Sequence, residues 1–195
     1  RMITGITMPD SGQIYFDGEP LGSQHSRQTG YMPEERGLYK KMKVKEQIVY
    51  LLSLKGLPVR EAITVADEWL DRLGLTEWQD RKTTDLSKGM QQKVQFISTV
   101  AHRPKLLILD EPFSGLDPVN AQLIEQEIYR LKAEGTTIIF STHRMEQVEE
   151  LCDYIGLINK GQMMLENDIT QVRKDFQKSI YRVDFVGDKK ILQDM

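Results

Sequence analysis

Two adjacent carboxylates, Asp110 and Glu111, follow the apolar run Leu106-Leu107-Ile108-Leu109. A continuous apolar run of this length predicts a strand buried on both faces, and ligands of an open α/β sheet bind at the carboxyl ends of such strands. Successive side chains of an extended strand point in opposite directions, so we expect the two acids to have different roles. One would hold Mg²⁺, and the other would orient water for attack on a phosphoryl group. Taken alone, the hexapeptide is explained equally well as an ordinary polar strand end.

A second candidate group, Ser87-Lys88-Gly89, begins nineteen residues before Leu106, within the octapeptide Leu86-Ser87-Lys88-Gly89-Met90-Gln91-Gln92-Lys93. A serine and a glycine at a helix start present a hydroxyl, exposed backbone N–H groups and the positive end of the helix dipole, which together suit a phosphate. The octapeptide alone is explained more simply by an N-cap serine followed by a helix-breaking glycine. A ligand role for this group therefore depends on the other motifs of the chain.

The elements that must position these residues alternate between strand and helix patterns. Strand patterns occur at residues 13–16 (before an Asp17-Gly18 turn), 29–32, 106–109, 136–140 and 154–158. Helix patterns occur at 47–55, at 62–73 before Gly74, from Ser87 to before Pro104, from Asp117-Pro118 to Gly135, at 144–151 and after Asp168. Residues 180–186 alternate like one further strand. The order predicts a mainly parallel α/β sheet that a helical insertion, from about residue 43 to residue 103, interrupts.

The composition excludes several classes of protein. Among 195 residues, 26 Lys and Arg oppose 29 Asp and Glu, and this mild acidity predicts no basic stripe for nucleic-acid phosphates. The longest stretches without a charged side chain, residues 94–102 and 135–143, are nine residues long. A transmembrane helix needs about 20, so no membrane span is predicted. The single cysteine, Cys152, cannot form an internal disulfide, and we expect it to be a small buried hydrophobe in a reducing, cytoplasmic setting.

The octapeptide around Gly89 is similar to the LSGGQ signature of ATP-binding cassette (ABC) proteins, and the other motifs follow it in the order that this family uses. Asp110 and Glu111 resemble the Walker B magnesium aspartate and the catalytic glutamate. Residues 114–118 resemble the D-loop, and Ser141-Thr142-His143 resembles the switch-histidine segment. The resemblance extends from residue 1 to about residue 168. An ordered set of four motifs is far more specific than any one of them.

The resemblance implies a P-loop NTPase-like ABC nucleotide-binding domain that binds Mg²⁺ and ATP between two chains arranged head to tail. It implies catalytic roles for Glu111 and His143, and metal ligation by Asp110 and Glu34. It also implies nucleotide contacts from Ser87, Lys88, Gly89 and Asp117. The implied partners are a second cassette subunit, either a copy of this chain or a paired one, and a transmembrane permease. The implied location is the cytoplasmic face of the cell membrane.

The sequence departs from the family pattern at three positions. Glu34 stands where a glutamine is usual, and its carboxylate would add negative charge beside the phosphates. Lys88 replaces a common glycine, and Met90 replaces a common glutamine. Such signatures, together with the heptapeptide at residues 33–39, resemble the branch of bacterial exporters related to sodium-extruding and ABC-2 type systems.

A larger departure is that no GxxxxGK[ST] phosphate loop occurs in the sequence. In the family this loop lies just ahead of a helix, and the residues 1–5 of this chain resemble the last turn of such a helix. We therefore expect the loop, and an aromatic residue that stacks on adenine, to lie upstream of Arg1 and to be missing from a truncated nucleotide-binding domain. Because the loop supplies most of the phosphate donors, the chain as given is expected to bind ATP poorly and to hydrolyse it negligibly.

We expect four regions along the chain. They are part of the nucleotide-binding core (1–40), a helical subdomain with the signature (41–103), a core with Walker B, D-loop and switch histidine (104–168), and the start of a C-terminal extension (169–195). Leu38, Tyr39 and Met42 form a candidate docking surface for the membrane partner, with a place in the core as the alternative. Two other functions remain open: a non-transport ABC-type ATPase that acts on ribosomes or DNA, and a regulatory or scaffold module without catalysis.

Overall fold

The structure, a computed structural model, describes residues 2–35 and 37–176. The chain divides into two compact units, Arg1–Arg144 and Met145–Met195. The strand predicted at residues 180–186 lies outside the described residues. Within the described ranges, no helix is both long enough and apolar enough to cross a lipid bilayer.

The first unit contains a parallel three-stranded sheet, as the alternating pattern predicts. Its strands are β3 (Thr29–Met32), β4 (Leu106–Asp110) and β5 (Thr137–Ser141), and β4 lies in the middle. Both pairings are parallel, and the register places Asp110 beside Ser141. Three helices connect β3 to β4, namely α1 (Val44–Leu54), α2 (Val59–Arg72) and α3 (Lys88–Val100). One helix, α4 (Pro118–Ala133), connects β4 to β5.

A short antiparallel hairpin, β1 (Tyr15–Phe16) and β2 (Glu19–Pro20), precedes the parallel sheet. The two residues between its strands, Asp17 and Gly18, have φ angles of +50° and +81°. Positive φ at both central positions is the geometry that tight two-residue hairpin turns require. The turn predicted at this dipeptide is therefore confirmed.

The strand β4 is more exposed on one side than its continuous apolar sequence predicts. Leu107 and Leu109 are completely buried, whereas Leu106 and Ile108 are half-buried. Helix α3 covers the buried side so closely that a Cβ added to Gly30, on the neighbouring strand, would lie 2.5 Å from the backbone oxygen of Thr99 and 3.0 Å from the Leu107 side chain. The prediction of a strand buried on both faces was wrong in this respect, because within the described residues only one side is fully covered.

The helix predictions for this unit are confirmed in position and in buried face. In α2 the side chains of Ala62, Ala66 and Leu70 are at most 1% exposed, and Gly74 after the helix has a φ of +65°. The start of α4 is capped by Asp117, with proline at the first helical position. Apolar residues at helical spacing and a left-handed glycine after the last turn fix these helices without tertiary information.

Helices α2 and α4 are joined by an aromatic and ionic cluster. The guanidinium groups of Arg72 and Arg130 lie 5.0 Å and 5.3 Å from the centre of the Trp69 ring. The same two arginines contact one carboxylate oxygen of Glu127, at 3.4 Å and 2.8 Å respectively. Cation–π contacts at partly exposed sites contribute about 0.5–1 kcal/mol each. The cluster therefore joins α2, which precedes the Ser87-Lys88-Gly89 turn, to α4, which follows the acidic pair.

The second unit begins with α5 (Met145–Leu151), which leads into an antiparallel hairpin. The hairpin strands are β6 (Tyr154–Asn159) and β7 (Gln162–Asp168), and α6 (Ile169–Phe176) follows. Arg173 of α6 donates a hydrogen bond to the backbone oxygen of Glu149 in α5, at 2.8 Å. Cys152 is half-buried rather than fully buried, and it forms no disulfide.

Candidate functional site

The acidic pair lies at the carboxyl end of β4, where β5 runs beside it. The register places Asp110 opposite Ser141, and the Ser141 hydroxyl donates a hydrogen bond to Oδ1 of Asp110. The backbone N–H of Glu111 donates to the backbone oxygen of Ser141, at 3.1 Å. Asp110 is half-buried, and the side chain of Glu111 is 19% exposed. Both acids therefore lie at the edge of the sheet, where a ligand can reach them, and not inside the core.

Glu111 leaves the strand in a conformation that few residues other than glycine adopt. Its φ angle is +48°, and its backbone oxygen accepts a hydrogen bond from the N–H of Ser114 at 3.0 Å. A left-handed conformation costs a residue with a Cβ about 1–2 kcal/mol. The two acids have separate hydrogen-bond partners, and their different roles stay a prediction. Because β4 ends at Asp110 and the backbone of Glu111 is left-handed, the alternation of an extended strand does not apply to Glu111.

The carboxylate of Glu111 is held by His143, which follows the end of β5. Oε1 of Glu111 accepts one hydrogen bond from the backbone N–H of His143, at 3.0 Å, and lies 2.8 Å from the ring nitrogen Nδ1. When the carboxylate accepts this hydrogen bond, Nδ1 is the donor and carries the proton. The His143 side chain is 83% exposed, so its other ring nitrogen is accessible to solvent or ligand. The structure thus brings together two residues for which the sequence predicts catalytic roles.

The turn before α3 contains the second candidate group. The hydroxyl of Ser87 caps α3 by accepting a hydrogen bond from the backbone N–H of Met90, at 3.2 Å. Both Ser87 and Lys88 are exposed, and Gly89 is half-buried. A Cβ added to Gly89 would meet its nearest neighbours at 3.6–4.0 Å, in ordinary van der Waals contact with Leu116, Gly115 and Asn120. Neither space nor φ within this chain requires glycine at position 89.

Asp117 is already occupied as a helix cap. Its carboxylate accepts hydrogen bonds from the backbone N–H of Asn120, at 3.0 Å, and from the Asn120 side chain, at 2.5 Å. These hydrogen bonds from Asn120 lower the pKa of the Asp117 carboxyl below its usual value. The capping role predicted from the Asp-Pro sequence is confirmed. A contact of Asp117 with nucleotide stays a prediction.

Glu34 is exposed on the loop that follows β3. The side-chain amide of Gln95, in α3, donates hydrogen bonds to the backbone oxygens of Pro33 and Glu35, at 2.8 Å and 3.5 Å. Among the described residues, no hydrogen bond or ion pair joins Glu34 to Asp110 or Glu111. The adjacent strands β3 and β4 do end at the same edge of the sheet, because Met32 pairs with Leu109.

The donor chemistry at this edge fits Mg²⁺. The part of the chain that the structure describes contains no cluster of three or more His, Cys, Asp or Glu side chains arranged to hold a metal ion. Mg²⁺ bound with a nucleotide takes only one or two protein carboxylates, and water and phosphate oxygens complete its shell. Since Ser141 occupies Oδ1 of Asp110, the second carboxylate oxygen, Oδ2, remains for such a ligand.

The remaining two histidines have different surroundings from His143. The ring of His25 is 3% exposed, and its Nδ1 accepts a hydrogen bond from the backbone N–H of Gly22 at 2.9 Å. Both ring nitrogens of His102 are buried, and neither has a hydrogen-bond partner among the described residues. Burial, together with the nearby charge of Lys55, lowers the pKa of His102 to about 4. Neither histidine belongs to the acidic edge.

Two contacts at the site escaped the sequence analysis. The first is the hydrogen bond from Ser141 to Asp110. The second joins α3 to the segment after the acids, because the Gln92 side chain donates to the backbone oxygen of Pro112 at 3.0 Å. Both residues belong to recognised motifs, but only strand register and helix packing show which atoms they reach. A cavity of about 740 Å³ lies elsewhere in the first unit, and no candidate residue lines it.

The comparisons with known proteins agree with this geometry. The sequence profile of the ABC transporter family matches residues 1–114. The ABC transporter ATP-binding protein YhaQ of Bacillus subtilis is 46% identical over 99% of this chain, and the chain spans 65% of the length of YhaQ. The lantibiotic transport ATP-binding protein SrtF of Streptococcus pyogenes is 33% identical over 86% of this chain and 72% of its own length.

A solved structure of the ATP-binding subunit of an ABC transporter superposes with a TM-score of 0.81 at 29% identity, over 90% of this chain and 75% of that chain. The α/β fold described above is thus that of a P-loop NTPase-like ABC nucleotide-binding domain. The family profile, the sequence relatives and the shared fold lead to one conclusion: the chain belongs to the ABC transporter family, among its ATP-binding proteins.

Proposed function

We propose that this chain is the hydrolytic part of a subunit that couples ATP hydrolysis, at an interface between two copies, to export through a membrane-spanning partner. The observation that carries the proposal is the arrangement at the ends of β4 and β5. There, the carboxylate of Asp110 is hydrogen-bonded to Ser141, and the carboxylate of Glu111 is hydrogen-bonded to His143. Phosphoryl transfer depends mainly on positioning and on charge neutralisation, and this edge offers groups for both.

In the proposed reaction, Glu111 orients the attacking water and accepts its proton. His143 holds Oε1 of Glu111 through Nδ1, and in the doubly protonated form of the ring its second N–H would donate a hydrogen bond toward the γ-phosphate. Asp110 would hold Mg²⁺, and Glu34 would add an oxygen ligand, directly or through water. The proposal for Glu34 is supported only by its place after β3, the strand beside β4. When bound, Mg²⁺ would neutralise charge on the phosphoryl oxygens of ATP.

We further propose that Ser87, Lys88 and Gly89 of one copy complete the site of the other copy. The turn is exposed, and the first N–H groups of α3 point out of the helix start, where an anion binds favourably. Gly115 and Leu116 lie next to Gly89 of this turn, and Asp117 follows them in the sequence. Asp117 would therefore contact nucleotide or the partner copy at the same interface. A γ-phosphate that bridges both copies would favour the closed dimer, and hydrolysis would release it.

For the chain of 195 residues by itself we propose negligible activity, because it contains no GxxxxGK[ST] loop. Phosphate release from Mg-ATP is to be measured for this chain and for a full-length protein that carries such a loop ahead of residue 1. We expect turnover only in the full-length protein. Turnover by the 195-residue chain at a comparable rate would contradict the proposal, and absence of turnover in both would contradict the assignment as an ATPase.

The surface that we propose for the membrane partner lies around the start of α1. Tyr39 is 48% exposed and packs edge-on against Tyr50, with ring centres 5.8 Å apart, whereas Leu38 and Met42 are half-buried. These residues are therefore neither fully core nor fully exposed. Such a partner would place the protein in the cytoplasm, at the cytoplasmic face of the membrane. We propose no nucleic-acid partner, and the division into regions 1–40, 41–103, 104–168 and 169–195 remains part of this proposal.

A charge at this surface tests the docking. We expect Leu38→Asp to leave the ATPase rate of the full-length protein within about twofold and to abolish transport, because a buried contact with the partner cannot accept a carboxylate. The control is Met163→Asp, which introduces the same charge at an exposed apolar residue, at 53%, on the β6–β7 hairpin. Transport that survives Leu38→Asp would disprove the docking surface.

A further inference from the structure

Ser141 contacts both members of the acidic pair, and no role follows for it from the motifs alone. Its hydroxyl donates to Oδ1 of Asp110, and its backbone oxygen accepts from the N–H of Glu111 at 3.1 Å. Strand register explains why: Asp110 and Ser141 are paired residues at the last position of the β4–β5 ladder. Side chains of paired residues on neighbouring strands lie close enough for a hydroxyl to reach a carboxylate.

Packing does not explain the serine at this position. Residue 141 is exposed, so its side chain fills no space in the core. A β-branched or aromatic residue would suit an exposed strand position at least as well as serine. The distinctive property of Ser141 is therefore its hydroxyl, and the group that receives the hydroxyl proton is the carboxylate of Asp110.

We propose that Ser141 is a positioning residue for the metal-binding carboxylate, an assignment that rests on the ATPase function proposed above. The hydroxyl fixes the plane of the Asp110 carboxylate by occupying Oδ1, and it leaves Oδ2 directed to a divalent cation. The backbone oxygen of Ser141 holds Glu111 at its turn, where φ is +48°. One residue of β5 thus sets the direction of both carboxylates, through its side chain for Asp110 and through its backbone for Glu111.

A pair of variants isolates the hydroxyl. Ser141→Thr keeps it, and Ser141→Val replaces it with a methyl group of nearly the same shape. The measurement uses the full-length protein and the fluorescent nucleotide mant-ADP, titrated first in EDTA and then with increasing Mg²⁺. We expect Ser141→Val and Ser141→Ala to raise the Mg²⁺ concentration for half-maximal tightening about tenfold to a hundredfold, the effect of losing one hydrogen bond to a charged group. Ser141→Thr is expected to restore it, and nucleotide affinity in EDTA to stay unchanged in all three variants.

Two further variants distinguish an error in the role of Ser141 from an error in the metal assignment of Asp110. Ser53→Ala removes a hydroxyl that donates to a carbonyl oxygen of its own helix, at 2.9 Å, and is expected to change nothing. Asp110→Asn tests the proposed function itself and is expected to abolish the Mg²⁺ effect. If it leaves that effect intact, the metal assignment of Asp110 is wrong. If Asp110→Asn behaves as expected but Ser141→Val matches Ser141→Thr, or loses affinity equally in EDTA, then only the role of Ser141 is wrong.

Discussion

The acidic edge and the turn before α3 are held in place by different kinds of contact. At the acidic edge, hydrogen bonds from Ser141 and His143 direct the two carboxylates, and Glu111 keeps a left-handed backbone. At the turn, Ser87 caps the helix, the Gln91 side chain donates a hydrogen bond to the backbone oxygen of Leu86 at 3.1 Å, and Gly89 has room for a side chain. The acidic edge is therefore organised by its own chain. The turn carries a glycine, Gly89, that the packing of its own chain does not require, which is what an interface with a second copy would produce.

The largest effect is expected at the acidic edge, from Glu111→Gln in the full-length protein. The amide keeps the shape of the side chain but cannot accept the proton of the attacking water, so we expect turnover to fall by roughly a hundredfold or more. Nucleotide binding is expected to remain. The matched control is Glu68→Gln, at an exposed position of α2, with an unchanged rate. Near-normal turnover of Glu111→Gln, measured as phosphate release, would remove Glu111 from its proposed role.

Substitutions of Gly30 and Gly89 distinguish a glycine that the fold requires from a glycine that the proposed interface requires. A Cβ at Gly30 would lie 2.5 Å from the Thr99 backbone oxygen, whereas a Cβ at Gly89 meets only ordinary contacts. We expect Gly30→Ala to destabilise the full-length protein by about 2–3 kcal/mol. Gly89→Ala is expected to leave thermal unfolding unchanged and to lower ATPase turnover about tenfold to a hundredfold, by keeping a phosphate from the backbone.

Equal destabilisation by the two glycine substitutions would contradict the difference proposed between the acidic edge and the turn before α3. If Gly89→Ala lowers the unfolding temperature as much as Gly30→Ala does, then position 89 is glycine for the sake of its own fold. The turn would then give no sign of a partner copy. Unfolding by calorimetry and phosphate release, measured on the same preparations, distinguish the two cases.

An effect that is absent at neutral pH and appears only in acid is expected from His102, which contrasts with the exposed His143. Folding lowers the pKa of His102 from an ordinary 6.5 to about 4. Above pH 6.5 both states are neutral, so His102 does not change stability there. As the pH falls from 6.5 to 4 the unfolded chain takes up the proton first, and stability declines by roughly 3 kcal/mol.

NMR titration of the imidazole C2–H resonance checks this value directly, with His102→Gln as the variant that identifies the resonance. We expect a midpoint near pH 4 in the full-length protein, and a smaller loss of stability in acid for His102→Gln. A midpoint near 6.5 would mean that the ring is accessible to water in solution.

The sequence predicts much of the fold because the deciding interactions are local. The helix α2 and the caps at Ser87 and Asp117 follow from periodicity and from side chains that bond backbone groups three residues away. The site is less predictable because its geometry depends on register. The motif Ser141-Thr142-His143 is visible in the sequence, but its bonds to Asp110 and Glu111 exist only because β5 pairs with β4. The half-buried side of β4 could not be predicted either, because an apolar run does not show which other elements pack against each face of a strand.

The central claim is that the acids of one copy work with the turn of another, and complementation between two inactive variants tests it most directly. Full-length Glu111→Gln and full-length Gly89→Asp are each expected to be nearly inactive. Mixed in equal amounts and allowed to exchange subunits, they would form mixed dimers in which one of two sites is intact. Random pairing then predicts about a quarter of the wild-type rate of phosphate release. A mixture no more active than its two components would contradict a site shared between copies.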